Sequence, residues 1–145
     1  MYQTNPLARA GGLDVCGTPI DLKQVTSDFY CMGGLTDHIT PWDACYRSMH
    51  LFGGQGEFVV SNSGHIQSIL NPPGNPKARF MTGNSLPEDA QQWLQDASKH
   101  TGSWWTHWQA WLHARSGKSK KAPARLGNKA YVAAEAAPGT YVHMR

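Results

Sequence analysis

Asp37 and His65 are the residues whose types and spacing could do chemistry. Asp37 lies in GGLTDHITPW (33–42) and His65 in SNSGHIQSIL (61–70), each just past a segment rich in β-formers. A carboxylate beside an imidazole accepts the ring N–H and fixes the tautomer. It also stabilises the imidazolium formed when the ring takes a proton. Such a ring can activate a Ser or Cys nucleophile. The bland alternative is a surface histidine and an unrelated aspartate. His38 competes for the same role, but neighbours in an extended segment point apart. His38, Gly64 and Trp42 are therefore taken as supporting residues, with Gly64 leaving room for a tight bend before His65.

The elements around the pair say how it would be held. Val25–Met32 (VTSDFYCM) reads as a strand stopped by Gly33-Gly34. Trp42–Phe52 has apolar or aromatic groups at 42, 45, 46, 49 and 52, a helical spacing closed by Gly53-Gly54. Glu57–Val60 reads as a second strand. A helix crossing between two strands implies a parallel pair and an α/β fold. In such sheets functional groups gather at the carboxyl ends of the strands. Asp37 and His65 are thus expected on one rim.

Further along, NPPGNPKARF (71–80) reads as a proline-rich turn, and PEDAQQWLQDAS (87–98) as a helix with an acidic first turn. Trp104, Trp105, Trp108, Trp111 and Leu112 form one apolar stripe on a helix that Ser103 could cap. Residues 117–145 turn basic, then rich in Ala, Pro and Gly, and read as an extended or partly docked tail. The expected organisation is one α/β domain over 1–145 that includes this tail.

In α/β-hydrolase folds the chain order is nucleophile, acid, histidine, and Asp37 then His65 fits the last two steps. The nucleophile should sit in a G-x-S-x-G or G-x-C-x-G elbow upstream, and this sequence has none. Cys16 is in V-C-G-T-P, Cys31 in the expected strand and Cys45 in the expected helix, so all three read as packing residues. Ser63 and Ser68 are not in elbows either, which leaves a serine esterase without support. The order rule places the nucleophile before Met1, in a longer enzyme. A sheet cut in this way is expected to expose an edge and a face, and so to associate.

The bulk properties exclude other classes. Mean hydropathy is −0.49, and no apolar run approaches the roughly 20 residues needed to cross a bilayer. No signal peptide pattern is visible, so a cytosolic location is expected. Three widely spaced cysteines without a C-x-x-C pair argue against structural zinc. The net charge is +3 but unevenly placed, with Arg115, Lys118, Lys120, Lys121, Arg125 and Lys129 close together. With no recognition helix or RNA-binding signature beside it, this run reads as a solvated linker rather than a nucleic-acid site.

Several long stretches point to a family: VCGTPIDL (15–22), GLTDHITPW (34–42), SNSGHIQSILNPPGNPKARF (61–80), SWWTHWQAW (103–111), LGNKAY (126–131) and EAAPGTYVHMR (135–145). They resemble the C-terminal region of class II poly(3-hydroxyalkanoate) synthases over nearly the whole chain. The resemblance implies an α/β-hydrolase-type acyltransferase with a Cys–Asp–His triad, in which a cysteine carries the growing polyester as a thioester. It implies (R)-3-hydroxyacyl-CoA as substrate, release of coenzyme A, and no further cofactor or metal. It also implies a homodimer at the surface of cytoplasmic polyester granules. The family's acid falls on Asp37 and its histidine on His65, while its cysteine elbow and lid match nothing here. The fragment alone is then expected to be inactive. The rival from a different class is a non-catalytic granule- or partner-binding module built on the Trp-rich helix.

Overall fold

The structure, a computed structural model, describes residues 4–144. The chain divides into two compact units, one up to Arg115 and one from Ser116 on. The first opens with a small hairpin, β1 (Asp14–Val15) and β2 (Thr18–Pro19). Cys16 sits in its turn, exposed and at φ +53°. It is therefore not a packing residue: a left-handed turn position points its side chain to solvent.

The main sheet has four strands in the order β3 (Phe29–Gly34), β4 (Gly56–Ser61), β5 (Arg79–Thr82), β6 (Ser98–Thr101). β3 and β4 are parallel, in register from Phe29 opposite Gly56 to Gly34 opposite Ser61, and α1 (Trp42–Arg47) crosses between them. The expected parallel pair and crossover helix are both present. β3 starts later than expected because Val25 has another job: its carbonyl accepts the N–H groups of Gly53 (3.0 Å) and Gly54 (3.1 Å). The helix expected over 42–52 gives way after Arg47 to a tighter turn over Ser48–His50.

β5 and β6 continue the sheet antiparallel, where a turn and the end of a helix were expected. Asp89 caps α3 (Ala90–Asp96) by accepting the N–H of Gln91 at 2.9 Å, so this helix starts three residues later than expected. Ser103 does cap α4 (Trp104–Arg115): its Oγ accepts the N–H of Trp105 at 3.0 Å.

Strand alternation sends Phe58 and Val60 to one face of the sheet and Val59 to the other. On the first face α1 lays down Trp42, Tyr46 and Met49, and α3 adds Trp93. The rings of Tyr46, Phe58 and Trp93 meet with centroids 4.9 to 5.6 Å apart. Each such pair contributes about 0.5–1.5 kcal/mol beyond the area it buries. On the second face α4 covers Val59 and Phe80 with Trp104.

The expected tryptophan stripe is split. Trp104, His107 and Trp111 reach the ring of Tyr30 on β3, while Trp108 and Leu112 are exposed. At the far end of α4, Arg115 pairs with Asp28 at 2.9 Å and lies 4.1 Å over the Trp111 ring.

The second unit consists of turns, with one isolated bridge between Gly127 and Val132 and a single helical turn at Tyr141–His143. Its described side chains are almost all exposed. Among the described residues no helix is long and apolar enough to cross a membrane.

Candidate active site

β3 and β4 end level with each other, at Gly34 and Ser61. The loop after β3 carries Asp37, and the loop after β4 runs through Gly64 into α2 (His65–Ile69). This short helix was not expected, since five residues are too few to show a period. The two loops are tied by Leu35 N–H to the Ser61 carbonyl at 2.8 Å. Gly33 and Gly34 make that junction possible. A Cβ on Gly33 would stand 2.9 Å from the Cβ of Trp42, and one on Gly34 would stand 2.8 Å from both the Ser63 carbonyl and Ser68 Oγ. Trp42 thus packs against the end of β3.

The structure brings Asp37 and His65 together. His65 Nδ1 lies 2.8 Å from Asp37 Oδ2. The carboxylate is buried, and the imidazole is 38% exposed. The rest of the carboxylate is fully engaged. Oδ1 accepts the N–H groups of Ile39 (2.9 Å) and Thr40 (3.0 Å), and Oδ2 accepts the Thr40 hydroxyl (2.8 Å). Burial alone would push the Asp37 carboxyl up. The hydrogen bonds from Thr40, His65 and Ile39 outweigh it and hold the group well below the usual carboxylate range.

An ionised Asp37 accepts the Nδ1 proton and so leaves the lone pair on Nε2. Among the described residues no hydrogen-bond partner reaches that nitrogen. The arrangement can hold an imidazole in one tautomer and present a base to a group that approaches it.

Thr40 was not singled out from the sequence. Its signal was the D-x-x-T spacing, in which an aspartate side chain closes a turn by accepting backbone N–H groups two and three residues on. His38 is exposed and outside the pair. Gly64 adopts an ordinary extended conformation, φ −85°, and an added Cβ would come no closer than 3.5 Å to Thr36. The bend before His65 therefore does not demand glycine.

The cysteines are elsewhere or inert. Cys31 faces α1 with its thiol pushed up to about 11, by burial first and then by Cys45 nearby. Burial, then the charges of Asp37 and Asp43, push the Cys45 thiol up as well. Ser68 is buried and donates to the His65 carbonyl at 3.2 Å, which leaves it no path to a substrate.

A cleft of about 590 Å³ opens on the α3 face of the sheet, lined by Leu35, Met81, Leu94, Arg79 and Lys99 among others. Neither Asp37 nor His65 lines it, so the cleft and the pair are separate features. Among the described residues no group of three or more His, Cys, Asp or Glu is placed to hold a metal ion.

No family model matches the chain. Known proteins do. It is 66% identical over 145 residues to poly(3-hydroxyalkanoate) polymerase 1 of Ectopseudomonas oleovorans, which covers all of this chain and 26% of that protein. It is 53% identical over 144 residues to polymerase 2 of the same organism, covering 99% and 26%. With the poly(3-hydroxyalkanoate) polymerase subunit PhaC of Cupriavidus necator it shares 45% over 141 residues, 97% and 24%. The chain spans about a quarter of the length of the curated relatives it matches. Identity at this level, sustained from one end of the chain to the other, shows that the chain belongs to the poly(3-hydroxyalkanoate) polymerases.

Proposed function

We propose that this chain is the C-terminal part of the catalytic domain of a class II poly(3-hydroxyalkanoate) polymerase of α/β-hydrolase type. In this reading Asp37 orients His65, and His65 is the base for a cysteine in an upstream elbow. His65 Nε2 takes the thiol proton, and the thiolate attacks the thioester carbonyl of an (R)-3-hydroxyacyl-CoA. The C–S bond to coenzyme A breaks, and the departing thiolate recovers the proton from the imidazolium. In the chain-extending step His65 takes the proton of a 3-hydroxyl, whose oxygen attacks the acyl thioester on the enzyme. An ester bond forms and a thiolate is released. Asp37 stays ionised throughout and stabilises the imidazolium of each half-step.

The observation that carries this reading is the 2.8 Å contact between His65 Nδ1 and Asp37 Oδ2 at the carboxyl ends of two parallel strands. A second feature supports a larger sheet. β3 is an apolar strand (FYCMGG) whose one strand partner among the described residues is β4, beside an isolated bridge from Gly34 to Pro41, and parallel pairs normally lie inside wider sheets. Polymer growth at the surface of a cytoplasmic granule, by a homodimer, belongs to the same reading of the intact enzyme. The 145 residues alone, lacking an elbow cysteine, form no polymer.

The test is His65→Gln in the intact polymerase, with release of coenzyme A followed over time. The expected result is a folded protein whose turnover falls by about three orders of magnitude or more. Wild-type turnover would remove His65 from the mechanism.

A further inference from the structure

α2 is a helix of only five residues, and it begins with His65. A helix this short is not stable by itself, and its last carbonyls have no partner inside it. The Ile69 carbonyl accepts the N–H of Asn71 at 3.0 Å, and two indoles add donors from outside the helix. Trp104 Nε1–H donates to the Ser68 carbonyl at 2.7 Å, and Trp105 Nε1–H donates to the Ile69 carbonyl at 3.0 Å. Ser103 Oγ–H donates to the carbonyl of Asn71, two residues past the helix. Three consecutive residues at the start of α4 thus hold the end of the helix that carries His65 and the turn that follows it. Ser68, Asn71, Ser103 and Trp104 are all buried, so water cannot substitute at that junction. On the other side, α2 rests on Gly34, where Ser68 occupies the space a side chain would need.

We infer that Trp104 and Trp105 are positioning residues: their indole N–H groups fix α2, and through it the reach of His65 Nε2. This rests on the reading of His65 as the base. The Asp37 contact fixes one nitrogen of the ring, but a ring tethered at one point can still swing with its backbone. The two indole bonds remove that freedom. They also give the adjacent tryptophans a role that their hydrophobicity does not explain, since Trp108 on the same helix stays exposed.

The protein contains its own control. Trp93 is equally buried, and among the described residues its Nε1–H has no acceptor. Replacing a tryptophan by β-(3-benzothienyl)alanine keeps the fused rings and exchanges the N–H for sulfur. In the intact polymerase this replacement at position 104 should lower kcat by about 10-fold or more and leave KM for the hydroxyacyl-CoA within about twofold. At position 105, whose bond is exposed, kcat should fall by about threefold, and this variant gives the answer if the first fails to fold. At position 93 neither constant should change.

A folded position-104 variant with wild-type kcat would overturn the proposal. So would equal losses at 104 and 93, because the effect would then be one of packing. Failure of the base reading is seen separately: His65→Gln at wild-type rate would sink that reading whatever the tryptophan variants do.

Discussion

Thr40 grips Asp37 twice, with its backbone N–H on Oδ1 at 3.0 Å and its hydroxyl on Oδ2 at 2.8 Å. The second bond shares an oxygen with His65 Nδ1, so it sets the direction from which the carboxylate meets the ring. Thr40→Val keeps the shape and the backbone bond and removes only the hydroxyl. In the intact polymerase it should lower kcat by about 10-fold, the worth of one hydrogen bond to a charged group, with KM unchanged. Steady-state release of coenzyme A measures both constants.

Gly34→Ala probes the floor under α2. The new methyl would meet Ser63 O and Ser68 Oγ at 2.8 Å and Ser68 Cβ at 3.0 Å, and one of those contacts is backbone. α2 must shift, carrying His65 with it. Stability should drop by about 1–3 kcal/mol, as for other overpacked sites, and turnover should fall more than stability alone accounts for. Thermal melts alongside rate measurements check this, and a variant with wild-type melting and rate would show that the junction has slack.

The thiols should react in a set order. Cys16 is exposed, whereas Cys31 is half-buried with its thiol pushed up to about 11. At pH 8 such a thiol holds on the order of 0.1% thiolate, the reactive form. Alkylation of native protein followed by peptide mass analysis should therefore label Cys16 well ahead of Cys31 and Cys45. Rapid labelling of Cys45 would contradict its half-buried place on α1, packed against the core.

Acid should weaken the site through Asp37. Its carboxyl is held below its unfolded value of about 3.9, so the carboxylate's contribution to stability is present above that pH. The contribution is lost as pH falls through the folded value. The stability gap between the wild-type protein and Asp37→Asn should thus narrow as pH is lowered from 5 towards 2. Melting curves across that range give the gap directly.

The parts of this fold that could be read from the sequence are those fixed locally. The glycine pair after VTSDFYCM and the spacing of Trp42, Tyr46 and Met49 led to the parallel pair and its crossover helix. Topology then put Asp37 and His65 on one rim. What escaped depends on partners distant in the chain. β5 and β6 carry Arg79, Lys99 and His100, and only their pairing with β4 and each other makes them strands. α2 escaped because its end is closed by indoles 36 residues away in sequence. Cys16, with no elbow around it, reads as a packing residue, whereas it lies exposed in a left-handed turn.

The central claim is that Asp37 holds His65 as the base of a thiol-dependent polymerase. Asp37→Asn in the intact enzyme tests it most directly, because the amide keeps the shape of the carboxylate but favours the wrong imidazole tautomer. Release of coenzyme A should slow by on the order of 10⁴-fold with KM little changed. A rate within about twofold of the wild-type enzyme would show that the hydrogen bond between these two side chains has no part in the reaction.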